Sequence, residues 1–185
     1  GIAVPWALRW MTADLSQVLT QRARETPFLV GAPGSPRDLV ISGLYFRPLS
    51  GPTIPFGWLE ELGRDDLVQT VPLHLGHTAQ EVPIVGTSLT YYSRHRLEVQ
   101  SGTLPLRLGD CVLGAAVAER LHLTVGDKIL SDGGSFVNPA GVMPLKMRIT
   151  GILQRTHTVE DQAVFTDVKT CWLMDGIGHG HAAEE

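Results

Sequence analysis

Histidine is the residue type in this chain best suited to metal chemistry, because the neutral imidazole is the commonest metal ligand in proteins. The sequence has seven histidines, and two of them form the segment His179-Gly180-His181 beside Glu184-Glu185. A His-x-His pair with carboxylates can hold Zn²⁺ or Cu²⁺ weakly when the body of the protein supplies further ligands. The residues of ligand type nearest upstream are His157, Glu160, Asp161 and Asp175.

These residues give two interpretations of the chain end. The first is a metal site, with Zn²⁺ as its ion, at His179 and His181 and with His157 and Asp161 as additional ligands. The second is a solvated hydrophilic tail that leads away from the domain and binds nothing.

A second pair, His74 and His77, lies in the segment LHLGH. The segment has the pattern of a strand, and residues three apart on a regular strand point to opposite faces. The spacing therefore predicts one packed and one exposed imidazole, without a shared ligand role.

Catalytic arrangements are not indicated. The carboxylate pairs Glu60-Glu61 and Asp65-Asp66 flank a short predicted helix, which favours a solvated face over acid and base roles. Asp161 follows the turn Thr156-His157-Thr158, where an aspartate side chain commonly caps the turn. The segment Gly31–Ser35 lacks a Walker lysine, so it predicts a tight turn before a helix rather than a phosphate site. No G-x-S-x-G nucleophile elbow is present, and the chain is predicted not to be an enzyme.

Composition limits the class of protein. The chain has 185 residues, 43% hydrophobic, with a formal net charge of −4, which excludes both intrinsic disorder and a basic nucleic-acid binder. Gly1 stands where an initiator Met would be, which indicates a processed or excised piece of a longer protein. Cys111 and Cys171 fit a disulfide and two buried thiols equally well.

The elements that must position these groups follow from hydrophobic spacing. Apolar residues from Thr12 to Arg24 have helical periodicity, and Ser35 followed by Pro36 predicts a capped helix to about Tyr45. Further predicted helices are 56–62, 89–94, 115–121 and one capped by Asp167 that runs to Met174. Predicted strands are 28–31, 67–75, 82–86, 125–130 after a turn, 145–153 and 164–165.

Strands and helices do not alternate as regular βαβ units, so the pattern indicates an α+β fold. The middle of the chain is richer in short elements than its ends. We therefore expect a smaller lobe inserted in the middle of the chain, at about residues 97–145.

An ordered series of phrases carries a resemblance to a known family. The phrases are FLVGAPGSP with DLV, then VPL, IVGT and YY, then VLGA with VA, VGD, and ITGIL with Thr156, Thr158 and Asp161. Together they resemble the extracytoplasmic core domain of ABC-transporter permeases of the MacB, FtsX and LolC/LolE type, from about residue 13 to residue 181.

The resemblance implies a periplasmic, non-catalytic domain of an inner-membrane permease that couples ATP-driven motion of membrane helices to a substrate or partner outside the membrane. It implies a stalk helix at 8–25, a porter-like lobe at 27–96 and 145–176, an inserted lobe at 97–144 and a flexible tail at 177–185. The implied partners are a cytoplasmic ABC ATPase, a second permease copy and a periplasmic adaptor or lipoprotein. The alternative function is an extracytoplasmic Zn²⁺ or Cu²⁺ sensor or carrier that uses the His-Gly-His tail.

Overall fold

The computed structural model describes residues 26, 28–48, 52–65, 67–133 and 144–177. The predicted stalk helix at 8–25 lies outside the described residues, and so do His179 and His181. The chain divides into two units, Gly1–Val30 and Gly31–Glu185. In the first unit, residues 28–30 have no regular structure and Phe28 is exposed, so the prediction of a buried strand at 28–31 is wrong.

The described part of the second unit contains five α-helices and one 3₁₀ turn. The helices are α1 (Pro36–Tyr45), α2 (Trp58–Leu62), α3 (Leu89–Arg94), α4 (Ala115–Leu121) and α5 (Val168–Met174), and the 3₁₀ turn is Val159–Gln162. None of the described helices is long and apolar enough to cross a bilayer.

Local capping explains where α1 and α5 begin. The Ser35 hydroxyl accepts a hydrogen bond from the Asp38 N–H at 3.3 Å, and Pro36 occupies the first turn of α1. The Asp167 carboxylate accepts from the Lys169 N–H at 2.8 Å at the start of α5. Both predicted caps are confirmed.

The described residues also form one mixed sheet of seven strands. The strands are β1 (His74–Ala79), β2 (Val82–Thr87), β3 (Val99–Gly102), β4 (Asp110–Leu113), β5 (Lys128–Leu130), β6 (Lys146–Leu153) and β7 (Val164–Asp167). Their order is β1-β2-β7-β4-β6-β3, with β5 also paired to β6. The pairs β2/β7 and β4/β6 are parallel, and the others are antiparallel. The predicted α+β class is confirmed at this level.

Both faces of the sheet are covered. Ile84 and Val164 enter one hydrophobic cluster, whereas their neighbours Val85 and Phe165 enter the other, as the alternation of side chains along a strand requires. Helices α4 and α5 supply buried residues to the first cluster, and α3 supplies residues to the second. The face that packs against α5 is the one that carries the candidate metal centre.

Two predicted element boundaries need correction. The strand predicted at 67–75 begins only at His74, and Leu67 and Val68 are exposed. Val112 and Leu113, which precede the helix predicted at 115–121 and for which no strand is predicted, belong to β4. This strand lies between β7 and β6 and is buried at all four positions. The described part of segment 97–144 supplies β3, β4 and β5 to the same sheet as the strands from both chain ends.

Candidate metal centre

Two histidines and one aspartate meet where the first strand passes the end of the last helix. The Nε2 atom of His74 lies 2.8 Å from Oδ2 of Asp175, and Nε2 of His77 lies 2.9 Å from Oδ1 of the same carboxylate. The two imidazole rings are stacked, with centroids 5.2 Å apart and planes 6° from parallel. One nitrogen from each ring thus faces one oxygen of a shared carboxylate.

A β-bulge places both imidazoles on one face of the sheet. His74 pairs with Gly86 and His77 pairs with Ile84, so three steps along β1 oppose two steps along β2. The extra residue resets the alternation of side chains. The prediction that His74 and His77 point to opposite faces, one packed and one exposed, is therefore wrong. Their side chains are 12% and 1% exposed.

A missing side chain at Gly86 lets helix α5 approach this hairpin. A Cβ atom at that position would lie 2.5 Å from Sγ of Cys171 and 3.1 Å from Cβ of His74. Contacts shorter than 3 Å force neighbouring atoms to move, so a larger residue would require the Cys171 side chain or α5 itself to shift. Asp175 follows α5 directly, and its position relative to β1 depends on this close approach.

The opposite end of the hairpin is fixed by Asp132. Its carboxylate accepts hydrogen bonds from Oγ1 of Thr78 at 2.7 Å, the Gln80 N–H at 2.9 Å and the Glu81 N–H at 3.2 Å. Gln80 and Glu81 both have positive φ angles, 49° and 64°, which favour Asn or Gly in a two-residue hairpin turn. Asp132 therefore stabilises a turn conformation that Gln80 and Glu81 do not favour by themselves.

The environment of the cluster keeps Asp175 ionised. Burial alone would raise the pKa of the Asp175 carboxyl, but the contacts with His74 and His77 outweigh burial and hold that pKa well below its usual range. Its side chain is 14% exposed. The group therefore presents a carboxylate rather than a carboxylic acid.

Several polar atoms of the cluster have no hydrogen-bond partner. The Nε2 atom of His77 and Oδ1 of Asp175 are close together, yet they are not aligned for a hydrogen bond. Both Nδ1 atoms are also buried without partners. A buried polar atom that lacks a partner costs about 1 to 3 kcal/mol, so such atoms in a folded protein require an explanation. An ion bound between Nε2 of His77 and Oδ1 of Asp175 would be a partner for these two atoms but not for the Nδ1 atoms.

The donor set suits a borderline transition metal. Zn²⁺ takes imidazole nitrogen and carboxylate oxygen, and two histidines with one carboxylate is an established ligand combination that leaves a position open. The ligand atoms of His74, His77 and Asp175 all lie within 4.8 Å of one another, and among the described residues no other three ligand side chains meet in this way.

The other predicted ligands lie elsewhere. Both oxygens of Asp161 cap a turn, accepting from the Thr156 N–H at 2.9 Å and the His157 N–H at 2.7 Å, which confirms the capping interpretation. His157 is exposed and does not join the cluster. Of the residues weighed as partners for the tail histidines, only Asp175 belongs to the group.

Sequence reasoning missed His74 and His77 as ligands, although one signal was present. Gly76 interrupts the strand between them, and an isolated glycine within a strand pattern often marks a bulge. Reading that glycine as a bulge would have placed both imidazoles on one face. Nothing in the sequence brings Asp175 to them, because it follows His74 by 101 positions.

The two cysteines are free thiols, both fully buried. Burial first, and the Asp110 charge second, raise the pKa of Cys111 to about 12. Burial likewise raises the pKa of Cys171 far above its usual range. Of the two alternatives left open by the sequence, the structure has two buried, protonated thiols.

Comparison with known proteins assigns no family. No protein-family model matches the chain, and no curated protein shows significant similarity to it. A functional assignment therefore rests on the geometry of the described residues and on the sequence motifs.

Proposed function

We propose that this chain is the extracytoplasmic coupling domain of an ABC permease of the MacB, FtsX and LolC/LolE type. In this role it transmits ATP-driven motion of membrane helices to a substrate or partner outside the membrane and catalyses no reaction. The observation that carries the proposal is that early and late segments of the second unit pack directly against each other. The ordered sequence phrases support it independently.

Ring contacts give the closest measure of that packing. Phe56 and Trp172 meet edge to face with centroids 4.9 Å apart, and Phe46 and Phe165 meet in the same way at 5.8 Å. Each pair joins a residue from the first third of the chain to one near its end. A domain inserted between two membrane helices needs this arrangement, because force applied at either end must enter one stiff body.

The sheet supplies the stiffness. Strand β2 pairs in parallel with β7, and helix α5 packs on β1 and β2. Displacement of helix α5, near the end of the chain, would therefore also move strands β1 and β2, which come earlier in the chain. As part of the same hypothesis, we propose that residues 27–96 and 145–176 form a porter-like lobe. Residues 97–144 form the inserted lobe.

Three residues of the phrases that carry the family resemblance, Gly114, Tyr91 and Thr158, make close packing or hydrogen-bond contacts. A Cβ at Gly114 would lie 2.2 Å from the Glu160 carbonyl oxygen, so this glycine permits close contact between the start of α4 and the 3₁₀ turn. Glu160 is buried and accepts hydrogen bonds from the hydroxyls of Tyr91, at 2.8 Å, and Thr158. A domain that only transmits motion needs contacts of this kind, because they hold its elements in fixed relative positions.

The partners proposed with this function are a cytoplasmic ABC ATPase, a second permease copy and a periplasmic adaptor or lipoprotein. The proposed location is the inner membrane, with this domain on the periplasmic side.

The reading frame that encodes the chain tests the proposal. We expect an apolar span of about 20 residues just before Gly1 and three such spans after Glu185. We also expect the affinity-tagged full-length protein to copurify with an ATPase from detergent-solubilised membranes. A frame without these spans, or a full-length protein that is recovered only without an ATPase, would contradict it.

The second candidate is the Zn²⁺ or Cu²⁺ sensor or carrier. The observation that favours it is the group His74, His77 and Asp175. A metal-binding full-length protein without membrane spans would support this candidate over the first.

A further inference from the structure

We propose that His74, His77 and Asp175 bind one divalent transition-metal ion of the zinc type. This inference does not depend on the coupling function. It concerns residues of the folded body, and it differs from the tail site predicted at His179 and His181.

The spacing of the ligand atoms is the first support. Ligand atoms about 2.1 Å from a tetrahedral ion lie roughly 3.4 Å apart. The two nitrogen-to-oxygen distances, 2.8 and 2.9 Å, would each lengthen by about half an ångström on binding. All the ligand atoms of the group lie within 4.8 Å of one another, and any pair farther apart than about 3.4 Å would move closer together. Rotation about the side-chain bonds of Asp175 and His74, which are partly exposed, can supply this movement without a change in the sheet.

The second support is the state of His77. Its side chain is 1% exposed, and neither ring nitrogen has a hydrogen-bond partner. The Nε2 atom is nevertheless 2.9 Å from the carboxylate, in a direction that does not suit a hydrogen bond. A metal ion between them would satisfy both atoms, because each offers a lone pair.

The third support is charge and polarity. In the form in which these side chains bind metals, two imidazole nitrogens and one carboxylate would place a single negative charge beside a divalent ion. The surroundings are apolar, with Cys171 and Met174 of α5 and Ile84 of β2 in the adjoining hydrophobic cluster. Mg²⁺ and Ca²⁺ prefer oxygen ligands, so the two nitrogens select against them and favour a borderline ion.

The fourth support is that the ligands are held before an ion arrives. The bulge fixes both histidines on one face, Gly86 admits α5, and Asp132 holds the hairpin turn. A preformed site loses little conformational entropy on binding. The bound ion would join β1 to the end of α5.

Titration of the 185-residue chain with Zn²⁺, by calorimetry and by competition with a chromophoric chelator, tests the site. We expect one ion per chain. At a free Zn²⁺ concentration about 100 times the Kd, we expect the Tm to rise by roughly 5 to 10 °C. Co²⁺ should give visible absorption bands of a four- or five-coordinate ion.

Variants assign the binding to these residues. Asp175→Asn keeps the size of the side chain, and His74→Ala removes the more exposed imidazole. We expect each to weaken Zn²⁺ binding at least about 100-fold and to abolish the Tm rise. His157→Ala, which removes an exposed histidine elsewhere, should bind as the unmodified chain does. Circular dichroism checks that each variant is folded.

Two results would overturn the proposal. One is unchanged Zn²⁺ affinity in folded Asp175→Asn and His74→Ala. The other is a site lost in the double variant His179→Ala/His181→Ala but retained in Asp175→Asn, because the ligands would then lie in the tail.

Discussion

Gly86 shows how a single absent side chain controls the distance between two elements. The space that its Cβ would need is taken by Sγ of Cys171 on α5 and by Cβ of His74 on β1. The position belongs to β2, between the strand that carries the histidines and the helix that precedes Asp175. The packing of α5 and the geometry of the cluster therefore both require a small residue at this position.

We expect Gly86→Ala to lower the free energy of unfolding by about 1 to 3 kcal/mol, because the added methyl group overpacks a buried contact. Urea denaturation monitored by circular dichroism measures the change. Gly57→Ala is the matched control, since a Cβ there meets nothing within 4 Å, and it should change stability by less than about 0.5 kcal/mol. In the double variant Gly86→Ala/Cys171→Ala the two effects should be less than additive. Full additivity would contradict the proposed contact.

Asp132 acts at the same scale on the hairpin turn. Burial opposes its charge, but hydrogen bonds from Thr78, Glu81 and Gln80 outweigh burial and lower the pKa of the Asp132 carboxyl. A pKa that is lower in the folded than in the unfolded state adds stability above the unfolded value, and this stability is lost as the pH falls through the folded value.

We therefore expect Asp132→Ala to destabilise the domain by about 1 to 2 kcal/mol at neutral pH. The difference between the unmodified chain and Asp132→Asn should be constant from about pH 7 to 5 and should shrink below about pH 4. Urea midpoints across this pH range give the measurement, and the exposed Asp65→Ala serves as the control. A stability difference that becomes larger as the pH falls would contradict the predicted direction of the Asp132 pKa shift.

At the scale of elements, the sequence predicts helices and strands correctly where the signal lies within a short segment of the chain. Ser35 with Pro36 predicted α1, Asp167 predicted the start of α5, and the alternation from Lys146 to Leu153 predicted β6. Each of these signals depends on a cap, a proline or a half-buried face, which a short window contains.

The sequence was less informative where burial is decided by the whole sheet. Strand β4 is buried on both faces, so it has no alternation, and its four residues resemble the start of the helix that comes after it. The apolar residues near Leu67 resemble a strand but have no partner strand among the described residues. The pairing that decides these cases joins residues far apart in the chain.

The cluster could be predicted only in part for the same reason. His74 and His77 share a face only because the bulge adds one residue to β1, and a regular strand would separate them. Asp175 is among the ligand-type residues nearest the tail in the sequence, but its contact with β1 depends on how α5 crosses the sheet. That crossing is a property of the folded chain.

At the scale of the whole molecule, the proposed function depends on early and late segments that share one stiff body. The contacts Phe56 with Trp172 and His74 with Asp175 join them at side-chain level, and the pairing of β2 with β7 joins them through the backbone. We propose that a body built in this way transmits displacement between its early and late segments. The coupling proposal predicts that the domain moves during ATP turnover.

A distance measurement in the full-length protein, which we propose to be a permease, tests this claim most directly. Gln100 is exposed on β3 and accepts a spin label as Gln100→Cys, whereas the buried Cys111 and Cys171 should remain unlabelled. Double electron–electron resonance then gives the distance between the two labels of a permease dimer reconstituted with its ATPase in lipid vesicles. We predict that the distance distribution shifts when ATP is bound and returns after hydrolysis, and that it does not shift with an ATPase whose Walker lysine is replaced. A distribution that is the same with and without ATP, in a complex that hydrolyses ATP normally, would contradict the coupling role.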